Sequence, residues 1–369
     1  MYLNKIKLNN FKNITEADMS FCRNVNCMVG ENGVGKTNIL DAIHYLSFCK
    51  SYFNIIDNNN IKYDEEFFAI HGFYTFEDNS NEKFSCSLKR GLRKQFRYDD
   101  KEYNRLSEHI GKIPLVMITP SDQELIIGGS ELRRKFLDLV ISQADILYLD
   151  NLIKYNKALE QRNRLLKQFA QTISFDAQSL QIWDEQLIVF GTQIHKKRKA
   201  FIEDFASLFQ YYYNYISSEK EQVEIEYQSD DFENNFQSLL LNARDKDRIL
   251  NYTTVGVHKD DLCLKMNGYN VKKYASQGQQ KSFLLALKLA QFEYIFEQTK
   301  IKPILLLDDV FDKLDLKRIS KLMLLVGSDR FGQVFVTDTQ LGRVENIFKN
   351  TNIEHKIYTL TEKGIESEE

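Results

Sequence analysis

Between Glu131 and Ser218 apolar residues recur at alternating steps of three and four. Leu180, Trp183, Leu187, Phe190 and Ile194 open the stripe, and Phe201, Phe205, Leu208, Tyr212 and Tyr215 continue it, as one face of an amphipathic helix should. Leu149, Leu152, Leu159, Leu166 and Phe169 form a partner stripe, with the break "QTISFDAQS" between the two. The spacing predicts an antiparallel helical hairpin whose arms are roughly 25–35 residues, ~40–50 Å, long. A helical subdomain built only for packing would carry the same pattern.

On either side of this hairpin the periodicity shortens. Tyr2–Leu8 and "VNCMVG" are expected strands, followed by a glycine-rich loop and the helix "TNILDAIHYLSFCK". Three aromatic and β-branched runs between Glu65 and Tyr103, separated by Asn/Ser/Gly turns, predict an antiparallel meander, and "IPLVMITP" a further strand. After the hairpin, "CLKMNGYNVKKY" carries Asn267-Gly268, a strong hairpin-turn signal. A helix over 282–298, the strand "ILLLDD", a helix over 315–326 and the strands "QVFVTD" and "HKIYTL" follow. Strands alternating with helices point to a parallel sheet.

Composition narrows this only a little. With 369 residues, 43% of them hydrophobic and 27% charged, the chain can bury an ample core. A net charge of −3 gives no overall bias toward nucleic acid. Basic clusters stand out locally, at 89–97 (including Arg90, Arg93, Lys94 and Arg97), at 133–135, and at 195–199 (including Lys196 and Lys197). The clusters at 89–97 and 195–199 are candidate contacts for nucleic-acid phosphates, although taken singly such a cluster is most simply a solvated surface. Five cysteines, Cys22, Cys27, Cys49, Cys86 and Cys263, show no CxxC pairing and suggest free thiols in a reducing compartment. No apolar run approaches the ~18 residues of a membrane helix, so a soluble, cytoplasmic protein is expected.

Chemistry enters at Gly30, Glu31, Asn32, Gly33, Val34, Gly35, Lys36 and Thr37, a full GxxxxGK[ST] between an apolar strand and a helix that continues through Asn38. Glycines let amides turn around phosphate oxygens, and the helix N-terminus adds its positive end. Lys36 would neutralise the β/γ-phosphates, and the Thr37 hydroxyl would hold Mg²⁺. "ILLLDDV" supplies the acids that such a loop needs on a neighbouring strand: Asp308 on the metal side, and Asp309 to orient or deprotonate the attacking water.

A phosphate loop early, an acidic strand late and a helical arm between them is the layout of an ABC-type ATPase head interrupted by an arm. The expected class is therefore α/β, with an antiparallel β subdomain and an inserted helical lobe. Residues 1–130 and 219–369 would form the head and 131–218 the arm. In this layout "SQGQQK", Ser276–Lys281, occupies the place of the signature loop, at a helix N-terminus suited to an anion.

"NNFKN", "GENGVGKTN", "ELRRKFLD", "ALEQRNRLLK", "VGVHKDDL", "ASQGQQKSFLLALKLA" and "ILLLDDVFDKLD" occur in this order and together resemble the RecF family of bacterial DNA replication and repair ATPases. The likeness to SMC-type heads is more distant. The resemblance implies ATP and Mg²⁺ as cofactors, ATP-driven homodimerisation on DNA, slow DNA-stimulated hydrolysis that times release, and work with RecO and RecR to place RecA at single-strand gaps. It also implies that Lys12 and Asn13 flank the nucleotide. Ser276, Gln277, Gly278 and Gln279 would then face the partner's γ-phosphate, and Asp315 would cross the dimer seam. Two departures are Val257, where the family usually has proline, and Lys259, where it favours arginine. An ABC transporter ATPase is the alternative, but it would want an "LSGGQ"-like loop and a switch histidine after "QVFV", where Thr337-Asp338-Thr339 stands. Gln123 and Asp122 lie only near the register of a Q-loop.

Overall fold

The computed structural model describes residues 1–172, 174–217, 221–310, 316–328, 330–343, 353–361 and 364–368. The chain separates into two compact units. One comprises Met1–Asp122, Tyr212–Ser218 and Lys281–Glu369, the other Gln123–Tyr211 and Glu219–Gln280.

In the first unit the chain opens with β1 (Tyr2–Phe11), β2 (Ile14–Ser20), β3 (Val25–Gly30) and α1 (Lys36–Phe48). The expected meander follows as β4 (Phe67–Thr75), β5 (Asn81–Lys89), β6 (Gln95–Tyr98) and β7 (Lys101–Glu102), then β8 (Leu115–Ile118). One sheet is antiparallel with order β2-β1-β4-β5-β6-β7. β2 has no counterpart among the sequence expectations, because "ITEADMS" carries little apolar signal and its only fully buried side chain is Met19.

The second unit starts with α2 (Glu124–Ile127) and α3 (Ser130–Ala144), then the hairpin helices α4 (Ile146–Thr172) and α5 (Ala177–Ser217). Asp145 separates α3 from α4, its carboxylate accepting the amides of Leu147 and Tyr148 at 2.9 and 3.0 Å. The second arm is longer than expected, 41 residues; its buried line runs through Phe205, Phe209 and Tyr212, and from Tyr212 onward the helix belongs to the first unit. In the first arm the buried line runs through Tyr148, Tyr155, Ala158, Arg162 and Leu166. Of the predicted positions there, Leu149, Leu152, Leu159 and Phe169 are half-buried. A buried arginine and two tyrosines hide such a face from a hydrophobic count. After the arms come β9 (Val223–Gln228), α6 (Phe236–Leu250), β10 (Asp261–Met266), β11 (Tyr269–Asn270) and α7 (Val271–Tyr274). The Asn267-Gly268 turn forms as expected, with φ of 49° and 80°, and pairs Met266 with Tyr269.

Helix α8 (Gln277–Thr299) begins in the second unit and continues into the first, where β12 (Ile304–Leu307), α9 (Leu316–Val326), β13 (Val334–Asp338), β14 (His355–Thr361) and β15 (Gly364–Glu368) complete the chain. The second large sheet has order β15-β14-β3-β13-β12-β8, parallel throughout except for β15. β12 is wholly buried, as a strand covered on both faces must be, and reads as the uninterrupted run "ILLL". This order sets the C-terminal ends of β3, β13 and β12 side by side. Among the described residues no helix is long and apolar enough to cross a membrane.

Candidate nucleotide site

β3 ends at Gly30 and α1 starts at Lys36, so the loop between them spans the residues in which the sequence places phosphate chemistry. Gly33 and Gly35 have φ of 89° and 109°, a left-handed backbone that glycine adopts without a steric penalty. Gly35 is also the residue that caps α1, its carbonyl accepting the amides of Asn38 and Ile39 at 3.0 and 3.1 Å. Lys36 is nearly buried, and its ammonium donates to the carbonyls of Gly30 and Glu31 at 2.7 and 2.8 Å. The ammonium is thus folded over the loop that it would serve.

Asn13 is stitched to the same loop. Its amide donates to Gly33 O at 2.9 Å, while its carbonyl oxygen accepts from the Asn38 side chain at 2.7 Å. Lys12 adopts a positive φ of 53°, and its amide donates to Asn60 O at 2.8 Å. Its ammonium lies 2.5 Å from Asp41, whose carboxylate is completely buried in α1. Asp41 also accepts from the Ser51 hydroxyl at 2.6 Å and the Tyr52 amide at 2.7 Å, so the buried charge is fully matched. The sequence reading passed over Asp41, although an acid inside the apolar run "ILDAIHYL" was a signal.

At the end of β12, Asp308 accepts from the hydroxyls of Thr37 at 2.8 Å and Thr337 at 2.9 Å. Its amide donates to Ile118 O at the end of β8. Burial pushes the Asp308 carboxyl above the usual carboxylate range, against the pull of both hydroxyls. A carboxylate so placed, beside a threonine hydroxyl, is the hard oxygen pair that suits a divalent cation, which would offset the cost of its burial. Among the described residues no three His, Cys, Asp or Glu side chains group as a metal cage, so phosphate oxygens and water would supply the remaining ligands. Asp309 has a left-handed φ of 48°, and its amide donates to the Thr337 hydroxyl at 2.9 Å. Thr337 therefore joins both acids.

Clefts open on two sides of the loop. One of about 730 Å³ is lined by Asn13, Glu31, Asn32, Gly33, Val34 and Thr361, among others. The other, about 820 Å³, runs past Lys12, Asn13, Thr37, Asn38, Phe53 and Tyr63.

The first five residues of the hexapeptide, Ser276–Gln280, belong to the second unit, and its first four form a capping box at the start of α8. The Gln279 amide donates to the Ser276 hydroxyl at 3.2 Å, and the Ser276 amide to the Gln279 side chain at 2.7 Å. Gln279 further donates to Glu221. Gln277 and Gly278 form the first turn of the helix. Asp315 lies outside the described residues.

The basic clusters divide by environment. Arg90, Arg93 and Arg97 are exposed, whereas the Lys94 ammonium is engaged with Cys49 O at 2.6 Å, Asp57 at 2.8 Å and the Tyr45 hydroxyl at 3.2 Å. In the arm, Lys196 and Lys197 are exposed, the latter paired with Asp145, while Arg198 is buried between Asp138 and Asp260. Thus Asp260 of "VGVHKDDL" pairs inside the second unit, and Gly256, at φ 138°, leaves no space for a Cβ, which would meet the Tyr155 hydroxyl at 2.3 Å.

A family model described as RecF/RecN/SMC N terminal domain matches residues 2–359. The DNA replication and repair protein RecF of Flavobacterium johnsoniae is 49% identical over 360 residues, covering 98% of this chain and all of that one. Among solved structures, the recombination mediator protein RecF-ATP of the RecFOR pathway superposes with a TM-score of 0.87 at 30% identity, covering 99% of this chain and 98% of that chain. An Smc head bound to the C-winged helix domain of ScpA shares the fold at a TM-score of 0.60 and 14% identity, covering 100% of this chain and 98% of that one.

Proposed function

The chain belongs to the RecF family of DNA replication and repair proteins, and from that premise we propose that it is an ATP-gated, DNA-binding ATPase of recombinational repair. The observation that carries the reading is the meeting of Lys36, Thr37 and Asp308 at the C-terminal edge of the parallel sheet. The RecF-ATP relative supports ATP as the nucleotide. Gly30–Asn38 would wrap the phosphates, with Lys12 and Asn13 at their flank. Thr37 and Asp308 would hold Mg²⁺, which when bound neutralises phosphate charge. Asp309, fixed by Thr337, would orient the attacking water. Dependence on a second protomer is what the family relationship suggests: Ser276–Gln279 would close on the partner's γ-phosphate, Asp315 would cross the seam, and slow hydrolysis would release the clamp.

In this reading residues 1–130 and 219–369 form the nucleotide head and 131–218 the arm. The exposed Arg90, Arg93, Arg97, Lys196 and Lys197 are the DNA-contact candidates, since phosphate neutralisation needs solvent-facing cations. Lys94, from the same basic run, is a weaker candidate, its charge being spent internally. RecR, RecO and RecA are the partners that the family relationship suggests, and the cytoplasm is the compartment. The test is twofold: ATP should convert the protein to a dimer in sizing chromatography, and gapped duplex DNA should raise its ATPase rate. Failure of both would sink the proposal.

A further inference from the structure

A chain of buried polar contacts, all within the first unit, leads from Lys12 to the helix that carries the hexapeptide. Lys12 pairs with Asp41, and Asp41 accepts the Tyr52 amide. The Tyr52 hydroxyl at the far end of the same residue donates to Asp122. Asp122 pairs with the Lys288 ammonium at 2.7 Å and accepts the Thr119 amide at 2.7 Å. Lys288 also donates to Met117 O at 2.9 Å, which ties α8 to β8 beside the acidic strand. The side chains of Asp122 and Lys288 are each 8% exposed, and Asp41 is 0% exposed. Every charge in the chain therefore depends on its protein partner for stabilisation rather than on water.

Two features make this more than a packing device. Tyr52 bridges the two acids, its amide on Asp41 and its hydroxyl on Asp122, so a displacement of this residue is felt at both. Lys288 sits on α8 about 18 Å from Ser276, the first residue of the hexapeptide, at 1.5 Å per residue along one uninterrupted helix. The residue after Asp122 repeats the tie at the helix start. Gln123 donates to the Gln280 side chain at 3.3 Å, and Gln280 in turn donates to Ala275 O just before Ser276. Lys12 lines the larger cleft and is 11% exposed, so its ammonium is the one member of the chain within reach of a ligand. A phosphate that drew Lys12 away would leave Asp41 buried with only Ser51 and Tyr52 as donors, and the 51–52 segment would have to answer.

We propose that Tyr52, Asp122 and Lys288 are positioning residues that set Ser276–Gln279 according to whether Lys12 is held by Asp41 or by a nucleotide phosphate. This rests on the nucleotide reading of the site. The test compares wild type with Tyr52→Phe, which removes one hydroxyl and keeps the ring, and with Lys288→Met. Three readouts are taken: fluorescent ATP-analogue binding, amide exchange across residues 276–285, and ATP-dependent dimerisation by sedimentation. ATP should alter exchange over 276–285 in the wild type. Both variants should bind the analogue within about twofold of wild type, lose that response, and dimerise about tenfold more weakly, the size expected for one buried hydrogen bond to a charged group. Turnover should show lowered kcat with unchanged KM. Variants that respond and dimerise like wild type overturn the proposal alone, as do variants whose nucleotide affinity falls in step with dimerisation. Wild type that binds no ATP overturns the nucleotide reading and this proposal together.

Discussion

The Thr37 hydroxyl donates to the Asp308 carboxylate at 2.8 Å across 271 residues of sequence. Thr37 lies in the first turn of α1, after β3, and Asp308 follows β12, two strands that do not pair directly. β13 separates β3 from β12, and its own Thr337 donates to the same carboxylate oxygen at 2.9 Å. Asp308→Asn keeps the shape but removes the charge that suits Mg²⁺. ATP affinity with Mg²⁺ should fall by about tenfold or more, while affinity in excess chelator stays near wild type. Calorimetric titration under both conditions checks this, and an equal loss in both would remove Asp308 from the metal side.

Lys36 and Asp309 should separate binding from hydrolysis. Lys36→Ala removes the cation now held by Gly30 O and Glu31 O and should abolish ATP-dependent dimerisation. Asp309→Asn should leave binding intact and trap the dimer, because the hydrogen bond from the backbone N–H of residue 309 to the Thr337 hydroxyl persists whatever the side chain. Turnover at the wild-type rate in Asp309→Asn would exclude a hydrolytic role.

Ser276 has two duties that different substitutions can distinguish. Ser276→Ala removes the cap hydroxyl that accepts the Gln279 amide and should cost about 1 kcal/mol of stability, seen as a small drop in Tm. Ser276→Arg places a bulky cation at the helix start. It should leave ATP binding to the monomer intact while preventing the dimer, measured by sedimentation with and without ATP. A dimer that survives Ser276→Arg would detach the hexapeptide from the seam.

The second unit owes much of its order to Arg162, completely buried and paired with Asp184 and Asp247 at 2.6 Å each, with Thr253 at 2.9 Å. Arg162→Met strands the Asp247 carboxylate without its cation, whereas Asp184 retains Arg244 at 2.9 Å. A loss of about 3–5 kcal/mol is expected in urea unfolding. A loss below 1 kcal/mol would show that the site relaxes or hydrates.

Acid sensitivity has identifiable sources. Burial pushes His44, His109 and His258 each down to about 4. Their unfolded values are about 6.5, so the unfolded chain binds more protons between these limits and stability falls as pH drops from ~6.5 toward 4. The slope approaches about 1.4 kcal/mol per pH unit for each histidine in that window. Unfolding followed at pH 7, 6 and 5 checks it, and His258→Gln should flatten the dependence. A flat wild-type profile would mean that the three rings are hydrated.

Much of the site was legible because its requirements are local. Gly33 and Gly35 take their left-handed backbone from their own chemistry, and "ILLLDD" announces a buried strand with acids at its end. The same holds for the Asn267-Gly268 turn. What stayed hidden involves partners. Asp41 was passed over because a lone acid in an apolar helix does not name its cation. Lys94 stood in a basic run but turned inward, to Cys49 O and Asp57. The arm's buried line was displaced because Arg162 occupies a place that a hydrophobic count reserves for leucine.

By itself, then, the sequence determined the elements and the chemical inventory: phosphate loop, acidic strand, helical arm and capped hexapeptide helix. Each of these depends on backbone preferences and periodicities written over fewer than about forty residues. Which groups share a carboxylate was decided by tertiary structure alone. Strand order brings Thr37, Thr337 and Asp308 together, and burial obliges Lys12, Asp41, Tyr52, Asp122 and Lys288 to satisfy one another, because within a packed interior no water is at hand to do so.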